Sequence, residues 1–172
     1  MRIAVIDFET ATGKADSACA IGLVVVEGAR IAARYDSLIR PPDEGMHFTN
    51  IHGITWEDVE NERLFPDVRD EFARHLEGVD YLAAHYAPFD RNVWFALHRR
   101  FRLKAPRLAF LCTCQMARQY FPKLPNHKLP TVAAHLGADL KHHDALSDAL
   151  AAAKIIQVLT KEGLDVEAGK LA

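Results

Sequence analysis

The sequence predicts an α/β fold built on a mixed five-stranded sheet flanked by helices. Three observations carry that prediction. Up to Arg40 the chain holds three apolar or β-branched runs separated by turn residues, which reads as a three-stranded meander. From Pro66 onward amphipathic stretches alternate with short apolar runs, the pattern of strands joined through covering helices. The chain has 172 residues, 49% hydrophobic and 26% charged, which suits one folded domain with a sizeable core.

The first strand runs from Ile3 to Thr10, and Thr12 to Asp16 forms a turn. Ala18 to Val26 is apolar enough for a buried strand, and Glu27-Gly28 turns into a third, Arg30 to Arg40, closed by Pro41-Pro42. Residues 43–54 read as irregular. Thr55, with Asp58 three positions on, resembles a helix start. Pro66 opens a helix through Val68, Phe72 and Leu76, and Gly78 ends it. Val79 to His85 is the fourth strand. Pro88 suits the first position of a helix reaching toward Leu103. Leu108 to Cys112 is the fifth strand, followed by a helix over Thr113 to Phe121 and a proline-rich connection from Pro122 to Pro130. A short helix ends near Gly137, and a long one spans about Asp144 to Thr160. No internal repeat or second domain is visible.

Composition narrows the function classes. No apolar run approaches the roughly 20 residues of a membrane span, and the start reads directly as a strand rather than a signal peptide, so a cytoplasmic location without a membrane partner is expected. Cys19, Cys112 and Cys114 form neither a disulfide framework nor a metal knuckle. The net charge of -2 hides an asymmetry: residues 1–86 hold 8 Lys/Arg against 16 Asp/Glu, and residues 87–172 hold 13 against 7. A polyanion lying along a basic side fits those counts, as do ordinary solvated faces.

The chemistry starts at the end of the first strand. Strand alternation puts Ile3, Val5, Asp7 and Glu9 on one face, so two carboxylates roughly 6 to 7 Å apart follow an apolar stripe. Unpaired charge there is costly, and a cation would resolve it. Asp148 lies on a long-helix face of small residues, with Ala145, Ala149 and Ala152 around it and no Lys or Arg between Asp144 and Ala153. It too needs a partner. Asp90 falls in the first turn of its helix, where the backbone dipole favours a carboxylate. His143, just before the long helix, can accept a proton near neutral pH; His142 and His143 also read as exposed polar residues beside a cap.

Asp7-x-Glu9, His85-Tyr86-Ala87-Pro88-Phe89-Asp90 and His143-Asp144-Ala145-Leu146-Ser147-Asp148 stand in the order and spacing of three exonuclease motifs. Over Ile3 to about Ile156 the chain resembles the histidine-containing branch of the DEDD exonucleases, also called DnaQ-like, the family of the epsilon proofreading subunit of bacterial DNA polymerase III. The resemblance implies a ribonuclease H-like fold and two divalent ions, commonly Mg²⁺ or Mn²⁺. Asp7, Glu9 and Asp148 would hold them, with Asp90 joining directly or through water. His143 would be the general base, and nucleoside 5′-monophosphates would leave from a 3′ end. Phe8, Thr10, His52, Ile54 and Tyr86 would border the terminal nucleotide. Tyr86 stands where the family usually has Asn, and Pro88 also departs from the pattern. Arg91, Arg99, Arg100, Arg102, Lys104 and Arg107 are candidates for phosphate contact or for a solvated helix face.

Single-stranded DNA is the expected substrate. RNA or short oligonucleotides form the alternative, since the choice depends on room for a 2′ hydroxyl. A small-nucleotide phosphohydrolase and a non-catalytic interaction module are the rivals from other classes. The sequence identifies neither a polymerase partner nor an oligomeric state.

Overall fold

Alternation along the first strand decides how the molecule is layered. In β1 (Arg2–Thr10), Ile3 and Val5 face one side of the sheet, and Ala4, Ile6 and Phe8 face the other. Each face is covered by its own helices. The computed structural model describes residues 1–171 and forms a five-stranded sheet ordered β3-β2-β1-β4-β5. β2 (Ala18–Glu27) and β3 (Arg30–Leu38) continue antiparallel from β1, while β4 (Tyr81–Ala84) and β5 (Ala109–Cys112) run parallel to it.

One layer joins α3 (Phe65–Ala73) and α4 (Pro88–Arg100) to the sheet through Phe65, Val68, Phe72 and Trp94, all wholly buried. The other is built by α5 (Thr113–Tyr120), α6 (Leu129–His135) and α7 (Ala145–Lys161). Among these, α7 lies directly across β1 and β2. Its Ala149, Ala152 and Ala153 carry no bulk, so the backbones approach closely. Gly22, the register partner of Asp7, makes the tightest approach: a Cβ there would stand 2.2 Å from the Ala145 carbonyl oxygen. The missing side chain brings the start of α7, and hence Asp148, over the carboxylate end of β1.

Several boundaries differ from the sequence reading. β3 stops at Leu38, since the N–H groups of Ile39 and Arg40 turn to the carbonyls of Cys19 and Arg63. β4 starts at Tyr81 because Val79 closes a turn onto Leu76. The helix opened by Pro66 tightens into a 3₁₀ turn over Arg74–Leu76. α4 ends at Arg100, and Arg102 with φ 53° excludes Leu103 from it. Residues 43–54, read as irregular, contain α1 (Thr49–His52), closed by Gly53 at φ 79°. The predicted start at Thr55 is present: its N–H donates to the Asp58 carboxylate at 2.8 Å, opening α2 (Trp56–Val59). After α7 a 3₁₀ turn over Val166–Gly169 leads to Lys170, which bridges Leu111 and covers the β5 edge.

Candidate active site

β1 runs past its pairing with β4, which involves Ile3 to Val5, so Asp7 and Glu9 project beyond the parallel part of the sheet. Asp148 reaches them from the first turn of α7. Asp144 caps that helix by accepting the Ser147 N–H at 3.1 Å, and Ser147 Oγ accepts the Lys141 N–H at 2.8 Å, which folds the preceding turn back over the site. One oxygen each from Asp7, Glu9 and Asp148 lies within 4.8 Å of the others. The separation expected along the strand is therefore closed from across the fold.

Asp90 stands beside this triad rather than in it. It is 2% exposed, and its Oδ1 accepts the Phe8 N–H at 3.0 Å, tying α4 to β1. Crowding and burial raise the whole set. Burial, then the charges of Asp90, Asp148 and Glu9, hold Asp7 well above the usual carboxylate range. Burial with the charges of Asp148 and Asp144 brings Glu9 to about 7, and burial above all brings Asp90 to about 8. Burial also raises Asp148. Its Oδ2 accepts from His142 Nδ1 at 2.9 Å and from the His143 N–H at 3.3 Å, while the buried Oδ1 has no donor among the described residues. Three convergent carboxylates and an orphaned buried oxygen fit a divalent cation in chemistry and in spacing.

His143 Nδ1 lies 4.0 Å from Glu9 Oε1, and the residue takes φ 67°. That left-handed turn, rare for a residue with a side chain, aims the ring at the acids. Desolvation and the neighbouring His142 hold His143 below its ordinary value, so the imidazole is a free base near neutral pH.

The acids sit in a cleft of about 630 Å³. Phe8 and Thr10 line it, though at 3% and 6% exposure both are largely part of the core. Tyr86 stands at the cleft, 59% exposed, at φ 63°. His52 lines it with both nitrogens engaged: Nδ1 accepts the Ile54 N–H at 3.0 Å, and Nε2 lies 3.3 Å from the Thr10 carbonyl oxygen. It pins α1 to the end of β1. Ile54 lies elsewhere, in a neighbouring cleft against Ala11, Cys19 and Val59. Ile51, three positions earlier, lines the cleft that holds the acids.

Sequence reasoning missed several lining residues. Half-buried Phe48 and exposed Ile51 and Phe89 add apolar surface, and Arg118 and Lys128 supply cations. The α4 arginines do not line the cleft: Arg100 pairs with Asp16 at 2.9 Å, and Arg91 lies over the Phe95 ring. His85 locks the cationic wall in place. A carbonyl only accepts, so His85 Nε2 donates to His127 O at 2.9 Å, leaving Nδ1 to accept from Thr113 Oγ1 at 3.0 Å. Burial brings this ring down to about 4. The arginine and lysine were legible as residues, but nothing local showed that α5 and the segment before α6 meet at the cleft.

Residues 4–156 match the sequence profile of the RNase_T exonuclease family. The PolC-type DNA polymerase III of Thermotoga maritima is 32% identical over 172 residues, covering 93% of this chain and 12% of that protein. The 3′-5′ exonuclease DinG of Bacillus subtilis is 34% identical over 157 residues, covering 86% of this chain and 16% of DinG. The chain therefore spans only a small part of these relatives. Among solved structures, exonuclease X in complex with 5′ overhanging duplex DNA superposes with a TM-score of 0.75 at 25% identity, covering 97% of this chain and 96% of that one. The nuclease domain of 3′hExo, a DEDDh family member bound to rAMP, gives 0.82 at 20% identity over 96% of this chain and 94% of that one, which establishes the shared ribonuclease H-like fold. The profile match over most of the chain, joined by relatives more than 30% identical, leads to one assignment: the chain belongs to the RNase_T exonuclease family.

Proposed function

We propose that this domain is a divalent-metal-dependent 3′–5′ exonuclease that removes nucleoside 5′-monophosphates from the 3′ end of single-stranded DNA. The observation that carries the reading is the convergence of Asp7, Glu9 and Asp148 beside a free imidazole in an open, apolar-walled cleft. Exonuclease X, similar over nearly its whole length, was solved with DNA. An interaction module has no need of such costly buried acids.

Asp7, Glu9 and Asp148, with Asp90 beside Asp7, are the residues that would hold Mg²⁺ or Mn²⁺. Two such ions, when bound, would acidify an attacking water and offset charge on the leaving 3′ oxygen. His143 accepts the proton of that water at a ring nitrogen, and its backbone turn keeps the ring over Glu9. Asp90 fixes the end of β1 through the Phe8 N–H, holding Asp7 and Glu9 in place. Tyr86 and Phe89 offer ring faces for a base, Phe48 and Ile51 add apolar surface, and Arg118 and Lys128 lie where a backbone phosphate would pass. Phe8, Thr10 and His52 shape the floor and rim of that pocket.

The test is degradation of matched 5′-labelled single-stranded DNA and RNA with Mg²⁺, Mn²⁺ or chelator, with Asp7→Ala as control. A metal-dependent ladder shortening from the 3′ end, faster on DNA, is the expected result. A faster RNA ladder would replace the substrate and keep the reaction. No ladder on either polymer would sink the reading.

A further inference from the structure

Around Asp148 lies a second set of donors that the exonuclease reading does not use as ligands. The rings of His142 and His143 stack with centroids 3.9 Å apart. One donor atom from each of His142, His143 and Asp148 lies within 4.8 Å of the other two. Asp148 is held on α7 with its side chain 5% exposed and its Oδ1 unpartnered among the described residues, whereas the two imidazole side chains are 41% and 40% exposed. The carboxylate is fixed, and the rings have room to turn their lone pairs toward it. In this state His142 Nδ1 sits 2.9 Å from Asp148 Oδ2, so a proton occupies the position a cation would take.

The donor chemistry differs from that of the triad. Asp7, Glu9 and Asp148 offer oxygen alone, which suits hard octahedral cations. Two imidazole nitrogens and one carboxylate form the three-ligand set of a borderline cation in tetrahedral geometry, with the fourth position open. Both sets need Asp148, so they compete. Filling the nitrogen-rich set would also take the His143 lone pair.

We propose that His142, His143 and Asp148 form an inhibitory site for a borderline divalent cation of the Zn²⁺ type, which competes for Asp148 and withdraws His143 from the reaction. The inhibitory half rests on the reading of His143 as general base; the site itself does not. His142 distinguishes the two cation sites, because it belongs to the nitrogen-rich set and not to the triad.

The experiment titrates Co²⁺ and then Zn²⁺, each alone, into the metal-free full chain, following visible absorption and heat. Wild type should give a tetrahedral Co²⁺ spectrum that Zn²⁺ displaces. His142→Ala should lose that spectrum and bind Zn²⁺ about tenfold or more weakly, and His142→Cys, which restores a Zn²⁺ ligand, should recover binding. In the labelled-DNA assay with Mg²⁺, inhibition being measured against each protein's own Zn²⁺-free rate, His142→Ala should need about tenfold more Zn²⁺ than wild type for half inhibition. Equal Zn²⁺ affinity in wild type and His142→Ala, or a purely octahedral Co²⁺ spectrum, overturns the site. Weakened binding without relief of inhibition overturns the inhibitory role alone. A His142-dependent Co²⁺ spectrum in a protein that degrades neither polymer would overturn the exonuclease reading and leave the site standing.

Discussion

Glu9 shows the cost of assembling this site. Burial beside Asp148 brings it to about 7 from an ordinary 4.5, and its side chain is only 11% exposed. Because the folded-state value lies above the unfolded one, its contribution to stability is complete below about pH 4.5 and is lost as pH rises through about 7. Metal-free Glu9→Gln should therefore be more stable than wild type at pH 8, by on the order of 2–3 kcal/mol, with the gap closing toward pH 4 in urea titrations. Its nuclease activity should vanish. His143→Ala is expected to slow turnover by about 10²-fold or more while calorimetry shows Mn²⁺ affinity little changed. Since burial and His142 hold His143 below its ordinary value, the acid limb of kcat/KM in wild type should fall below about pH 6.5, and this variant should lose it. Asp148→Ala removes a buried acid with an orphaned oxygen, so it should abolish hydrolysis and still fold.

At the scale of elements, the site depends on how closely α7 lies on β2. Gly22→Ala forces a Cβ into the Ala145 backbone, which cannot give way as a side chain would. Overpacking of this kind costs about 1–3 kcal/mol and lifts Asp148 away from Asp7. Thermal melts should show the loss of stability, and Mn²⁺ affinity should fall with it; unchanged metal affinity would remove the positioning role of Gly22. The β4–α4 turn carries the opposite trade. Tyr86 occupies the left-handed region at φ 63°, where Asn is better tolerated, yet its ring is exposed at the cleft. Tyr86→Asn should raise stability by up to about 1 kcal/mol and raise KM for single-stranded DNA. Tyr86→Phe should leave KM unchanged, which checks that the ring face does the binding.

For the whole molecule, the charge asymmetry acquires a place. The acidic half supplies Asp7 and Glu9, and the basic half supplies Arg118 and Lys128 to the same cleft, with Asp148 returning on α7. On the proposed function, a polyanion would be drawn by these cations to a cluster of acids that a bound divalent metal would make approachable. Binding of single-stranded DNA should weaken with salt, and Lys128→Ala should reduce the slope of log K against log salt by about one. Mn²⁺ should raise the melting temperature of wild type and much less that of Asp7→Ala, because a ligand that binds only the folded chain stabilises it.

The sequence by itself determined the elements and the chemical parts. Period-two alternation assigned β1 and the face shared by Asp7 and Glu9, small residues marked the α7 face around Asp148, and motif order put forward His143 and Asp90 as candidates. Those signals are local, carried by residues a few positions apart. Tertiary structure decided what meets what: the close approach at Gly22, the engagement of His52 with Thr10 and of His85 with His127, the exchange of Ile54 for Ile51 in the cleft, and the arrival of Arg118 and Lys128. Contacts between residues far apart in sequence arise from packing of whole faces, and no short pattern encodes them.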